Sequence, residues 1–194
     1  TNYYGAAYTR EAVIFVVNAT NVVIEGFNVE GNGLGPGRSG VIEYIYSGGR
    51  VSGCTIDSNT VGDMNALGIE ARGSGSMIFK IFDCTIKEFG RVGAYFVNCT
   101  GGISYSEIIG QTYSAVGLVN YGIEVESHQG ICDIEIMHNQ IYGSDNTYYP
   151  EPTWSSAGII VDTWREYDAY PNSTVAIECN DIYDNYFGIE VVSN

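Results

Sequence analysis

The sequence predicts an all-β solenoid, a parallel β-helix of about six rungs that forms a single domain over residues 1–194. Three observations carry this. A short Gly-Ile-Glu-Val phrase recurs along the chain, two further aliphatic columns recur in step with it, and Gly, Asn, Ser and Asp punctuate the intervals with no helical run between them.

The phrase marks the first strand of each rung. It stands as Gly68-Ile69-Glu70-Ala71, Gly122-Ile123-Glu124-Val125, Gly158-Ile159-Ile160-Val161 and Gly188-Ile189-Glu190-Val191. Looser copies are Val13–Val16, Val41–Tyr44 and Ala94–Val97. The resulting anchor column is Ile14, Ile42, Ile69, Tyr95, Ile123, Ile159 and Ile189, with steps of 28, 27, 26, 28, 36 and 30 residues. Apolar and polar residues alternate within each phrase, the period of a strand and not of a helix.

A second column reads Ile24, Val51, Ile81, Ile103, Ile136 and Ile177, and a third Val29, Ile56, Ile86, Ile108, Ile141 and Ile182. Between them runs a turn column: Phe27, Cys54, Cys84, Ser106, Asn139 and Asn180. Asn139 and Asn180 stand in consecutive rungs, so their amides are placed to satisfy turn backbone groups as a ladder. Cys54 and Cys84 also stand in consecutive rungs, as a disulfide or, the favoured reading, as a stack of buried thiols. One rung cannot bury its own apolar face, whereas rungs stacked ~4.8 Å apart bury a continuous core.

This three-column repeat resembles that of right-handed parallel β-helix proteins of the pectate-lyase-like and NosD-like kind, over nearly the whole chain. The resemblance implies a right-handed coil and, on the face of the first sheet, the place where such proteins commonly hold a polysaccharide groove. It implies no single activity, because that fold hosts lyases, hydrolases, adhesins and structural proteins.

Composition narrows the function. The formal net charge is −15 with eight Lys and Arg, which excludes a phosphate-binding surface and nucleic acid as a partner. No stretch is long and apolar enough for a membrane helix, and no signal peptide opens the chain, so Thr1 reads as the start of a mature or excised segment. Five cysteines, Cys54, Cys84, Cys99, Cys132 and Cys179, cannot all pair internally and leave one as a free thiol or for an intermolecular contact. Sequons at Asn18, Asn98 and Asn172 agree with an extracellular or cell-surface setting. C-x-x-C, P-loop and Ser-His-Asp signatures are absent, and His128 and His138 are too few and too far apart for a metal, so neither metal nor cofactor is expected.

Outward residues of the first strands read Phe15 and Val17, Glu43 and Ile45, Glu70 and Arg72, Phe96 and Asn98, Glu124 and Glu126, Ile160 and Asp162, Glu190 and Val192. His128 and Trp164 extend the row. If the chain is an enzyme, Glu70, Glu124, Glu126 and Asp162 are its acids and bases. Carboxylates one and two rungs apart lie roughly 5 and 10 Å apart, the range of glycosidase pairs. Any acidic protein with an exposed parallel sheet produces such pairs, so a solvated face and a non-enzyme are the expectation. Carbohydrate-binding candidates are Arg72, Asn98, His128, Trp154 and Trp164. Residues 143–156 and 163–173 are aromatic, polar insertions expected to rise side by side.

The ends show no capping helix or polar rung. Thr1–Arg10 is a tyrosine-rich lead-in and Gly188–Asn194 begins a seventh rung. Either the chain is a piece of a longer solenoid or its open edges join, rung seven of one copy continuing into rung one of the next. Self-association, acidity, sequons and an odd cysteine together resemble a surface-layer or sheath subunit, such as the tubular sheath of filamentous methanogenic archaea. A structural homopolymer at the cell surface is therefore the first expectation, and a carbohydrate-active or carbohydrate-binding β-helix the second.

Overall fold

The computed structural model describes residues 12–31, 39–58, 66–73, 77–111, 119–127, 130–145, 155–163 and 173–193. The first coil is β1 (Ala12–Val17), β2 (Val22–Glu25) and β3 (Asn28–Glu30), and the second β4 (Ser39–Ile45), β5 (Gly49–Ser52) and β6 (Thr55–Asp57). The third is β7 (Ala66–Arg72), β8 (Ile78–Phe82) and β9 (Thr85–Lys87), and the fourth β10 (Val92–Val97), β11 (Thr100–Ser104) and β12 (Glu107–Ile109). The fifth is β13 (Tyr121–Ser127), β14 (Asp133–Met137) and β15 (Gln140–Tyr142), and the sixth β16 (Ala157–Thr163), β17 (Thr174–Glu178) and β18 (Asp181–Tyr183). A last strand, β19 (Phe187–Ser193), opens a seventh coil.

Every third strand pairs in parallel, giving a seven-stranded sheet A from β1 to β19 and two six-stranded sheets, B from β2 to β17 and C from β3 to β18. This is a parallel β-helix. The aliphatic columns of sheets B and C hold their expected register throughout, for example Ile103 beside Ile81 and Ile136, and Ile108 beside Ile86 and Ile141. Their side chains meet inside with those of sheet A in one continuous core.

Sheet A departs from expectation in the fourth coil. Ala94, not Tyr95, stands beside Ile69 and Ile123. The mark of the register is the glycine before the anchor. A Cβ on Gly93 would come within 2.7 Å of the Gly122 carbonyl oxygen and 2.8 Å of the Phe89 ring, and one on Gly122 within 2.6 Å of the Gly158 carbonyl oxygen. A hydrophobic reading prefers Tyr95 to Ala94, and a slip of one residue exchanges inside for outside. Phe96 accordingly points into the core, and Tyr95 and Val97 take the outward places assigned to Phe96 and Asn98.

The B–C corners are two-residue turns whose first member is left-handed: Gly26, Gly53, Asp83, Tyr105, His138 and Cys179. The second member is the predicted ladder. The Asn139 backbone N–H and Nδ2 both donate to Asn180 Oδ1 (2.9 Å each), and Asn139 Nδ2 also donates to the Ile103 carbonyl (3.1 Å). The Ser106 N–H donates to Asn139 Oδ1 (3.0 Å) and the Cys84 N–H to Ser106 Oγ (3.1 Å). Each side chain thus satisfies a backbone donor of the coil beneath it, which a tight buried turn would otherwise leave orphaned.

Candidate functional site

Two regions of the scaffold stand apart from ordinary solenoid surface: the outward face of sheet A and the last coil.

On sheet A, one outward column reads Glu43, Glu70, Tyr95, Glu124, Ile160, Glu190, and its neighbour Ile45, Arg72, Val97, Glu126, Asp162, Val192. Glu70 and Glu124 are two coils apart with Tyr95 between them, and Glu126 and Asp162 are direct register partners. The face expected to be solvated is occluded: Glu43, Glu70, Glu124 and Glu126 are all buried. They are interleaved with a second apolar cluster that includes Leu67, Val92, Tyr95, Val97, Tyr121 and Ile160.

Buried carboxylates need compensating partners, and two guanidinium groups supply them. Arg72 Nε donates to Glu70 Oε1 at 2.7 Å and its guanidinium lies 5.7 Å from the centre of the Tyr95 ring. Arg91, which the sequence did not single out, donates to Glu124 Oε1 at 3.3 Å from the start of β10. Gly40 donates its N–H to Glu43 Oε1 (2.9 Å). Burial, then the nearby Glu124, pushes the Tyr121 phenol far up, and burial, then Asp162, raises the Glu190 carboxyl. Chemically, these columns are a seam of mostly buried carboxylates, two of them ion-paired, packed among apolar side chains rather than an open groove. No group of three or more metal-ligating side chains occurs among the described residues.

The other candidates scatter. Asn98 is a left-handed turn residue after β10, off both outward columns, and Asn18 occupies the matching turn after β1 and is exposed. His128, Trp154, Trp164 and Asn172 lie outside the described residues. The insertions at 143–156 and 163–173, which carry Trp154, Trp164 and Asn172, lie largely outside the described residues as well. All five cysteines are free thiols; Cys54, Cys84, Cys99 and Cys132 are buried and Cys179 is exposed. Cys54 Sγ donates to the Ser52 carbonyl and Cys84 Sγ to the Phe82 carbonyl. Burial pushes the Cys84 thiol up to about 11 and raises that of Cys132, so both are neutral packing groups at physiological pH.

The sequence also gave no sign of a shallow groove of about 410 Å³ on the outer face of sheet B. Gly101 and Gly102 leave its floor bare between Lys80 and Phe82 on one side and Glu135 and Met137 on the other.

The last coil is the second region. Ile189 and Val191 belong to inward columns whose earlier members, Ile123, Ile159 and Val125, are buried, yet they are 49% and 73% exposed. Ten of the fifteen exposed large hydrophobics among the described residues lie in the first coil or from β18 onward: Val13, Phe15, Val17, Val23 and Phe27 at one end, Tyr183, Tyr186, Phe187, Ile189 and Val191 at the other. Apolar exposure is thus concentrated at the ends of the solenoid, where parallel edges are also free to pair.

No family model matches the chain, and neither a curated protein nor a solved structure matches it. No helix among the described residues is long and apolar enough to cross a membrane.

Proposed function

We propose that this protein is an extracellular structural subunit that joins end to end with further copies of itself, as in a surface layer, hoop or sheath. The observation that carries the reading is the exposure of Ile189 and Val191, core residues by their column and surface residues by their position. Their cover has to be another parallel coil, and the head of a second copy fits. Extending the register of sheet A across the joint sets Ile189 beside Ile14, Val191 beside Val16 and Val192 beside Val17, the same aliphatic stacking that runs through the interior. Among the described residues β1 is hydrogen-bonded to β4 alone, and the reading assigns its other edge to the tail of the next copy. Tail on head is a heterologous contact, which makes rings or filaments. Sheets B and C stop one coil short of sheet A at the tail, so the joint has room for one further strand in each. The sequons and the net charge of −15 support a location outside the cell.

The test is light scattering and electron microscopy of the purified protein over a concentration series, without reducing agent. Rods, rings or sheets whose mass grows with concentration support the reading. A monomer at every concentration, or a longer polypeptide whose own further coils cover β19, contradicts it.

A further inference from the structure

The tail edge carries one ionisable side chain on its outward face, Glu190, beside Ile160 on β16. Asp162 stands diagonally across on the same strand. From β13, Glu124 and Tyr121 complete the surroundings, and the cation near them, Arg91, is already held by Glu124 at 3.3 Å. Glu190 Oε2 is buried and accepts no hydrogen bond from the described residues. In the end-to-end joint the register sets Phe15 of the next copy on the open side of Glu190, and β1 offers no cation there.

We propose that Glu190 makes the joint acid-dependent: its protonated carboxyl is buried between Ile160 and the incoming Phe15, whereas its carboxylate opposes closure. This rests on the end-joining reading and adds its regulation. Burial and the Asp162 carboxylate already favour the protonated form before association. Covering Glu190 with a phenylalanine removes more water and deepens that preference. Association then takes up a proton. Affinity rises as pH falls through the Glu190 pKa and levels off once the carboxyl is protonated in free and joined subunits alike.

The experiment compares the native chain, Glu190→Gln and the charge-matched control Glu135→Gln, an exposed site on a different sheet and two coils from Glu190, by sedimentation velocity between about pH 5 and pH 8. The native chain and Glu135→Gln should associate roughly tenfold or more tightly at the acid end, one pKa unit being a factor of ten. Glu190→Gln should associate at the acid-end strength throughout. If Glu190→Gln keeps the native pH profile, or Glu135→Gln loses it, the carboxyl at 190 is not the switch although the joint stands. If none of the three associates at any pH, the joint itself is refuted.

Discussion

The two ends of the solenoid are built from the same columns and treated differently. In the first coil the inward residues Val16, Ile24 and Val29 are 8%, 6% and 6% exposed, and the exposed large hydrophobics are outward or corner residues, Val13, Phe15, Val17, Val23 and Phe27. In the last coil the inward residues themselves face solvent, Val191 most of all. A β-helix gains stability coil by coil from burying one rung on the next, so a coil with no successor exposes half of its contribution. Among the described residues the inward columns are therefore more exposed in β19 than at Val16, Ile24 and Val29 of the first coil.

This comparison can be broken or sharpened by substitution. The largest loss is expected in the middle of the stack. Gly101 has φ 145° and a Cβ there would overlap the Phe79 carbonyl, so Gly101→Ala should cost about 3 kcal/mol or more in denaturant unfolding. Next, Ile24→Ala at the covered head should cost roughly 2–4 kcal/mol, whereas Ile189→Ala at the open tail should cost under about 1 kcal/mol in dilute monomer. Equal losses would mean that the two ends are equally covered. Asn139→Ala orphans the Ser106 N–H in a buried turn and should cost about 1–3 kcal/mol. Asn180→Ala acts in the more open last coil and should cost less, measured the same way.

A smaller effect belongs to alkaline pH. Burial, reinforced by Cys54, pushes the Tyr44 phenol up to about 12, and Tyr121 is raised further. A phenol raised on folding contributes stability that is complete below the unfolded value near 10 and is lost as pH rises through the folded one. Absorbance of phenolate should therefore lag in the folded protein and appear together with loss of strand signal. Ionisation of all tyrosines near pH 10 with the fold intact would contradict the burial of these two.

Sheets B and C were legible in the sequence because their anchors are almost all Ile or Val and their corner is a fixed two-residue turn, which leaves little room for a slip. Sheet A was legible except at the fourth coil, where Ala94 is too small to advertise itself beside Tyr95 and Phe96. Gly93 was the better guide, since its place is enforced by the backbone of the next coil. The burial of Glu43, Glu70 and Glu124 was not legible. Alternation shows which face a residue is on but not whether that face meets water, and the Arg91–Glu124 pair joins residues 33 apart in sequence. The lone seventh strand was legible from its Gly-Ile-Glu-Val phrase, and the exposure of Ile189 and Val191 beside the covered Val16 was not.

The most direct measurement mixes a tail-blocked and a head-blocked subunit, Val191→Lys and Phe15→Glu, the latter setting a second carboxylate against Glu190, and determines the mass of each alone and together by light scattering. Tail-on-head joining predicts that each variant alone stays monomeric and that the mixture stops at a one-to-one dimer, because only one intact tail and one intact head remain per pair. Self-association of Phe15→Glu alone would show that the tail pairs with another tail, and no association in the mixture would show that the ends do not join.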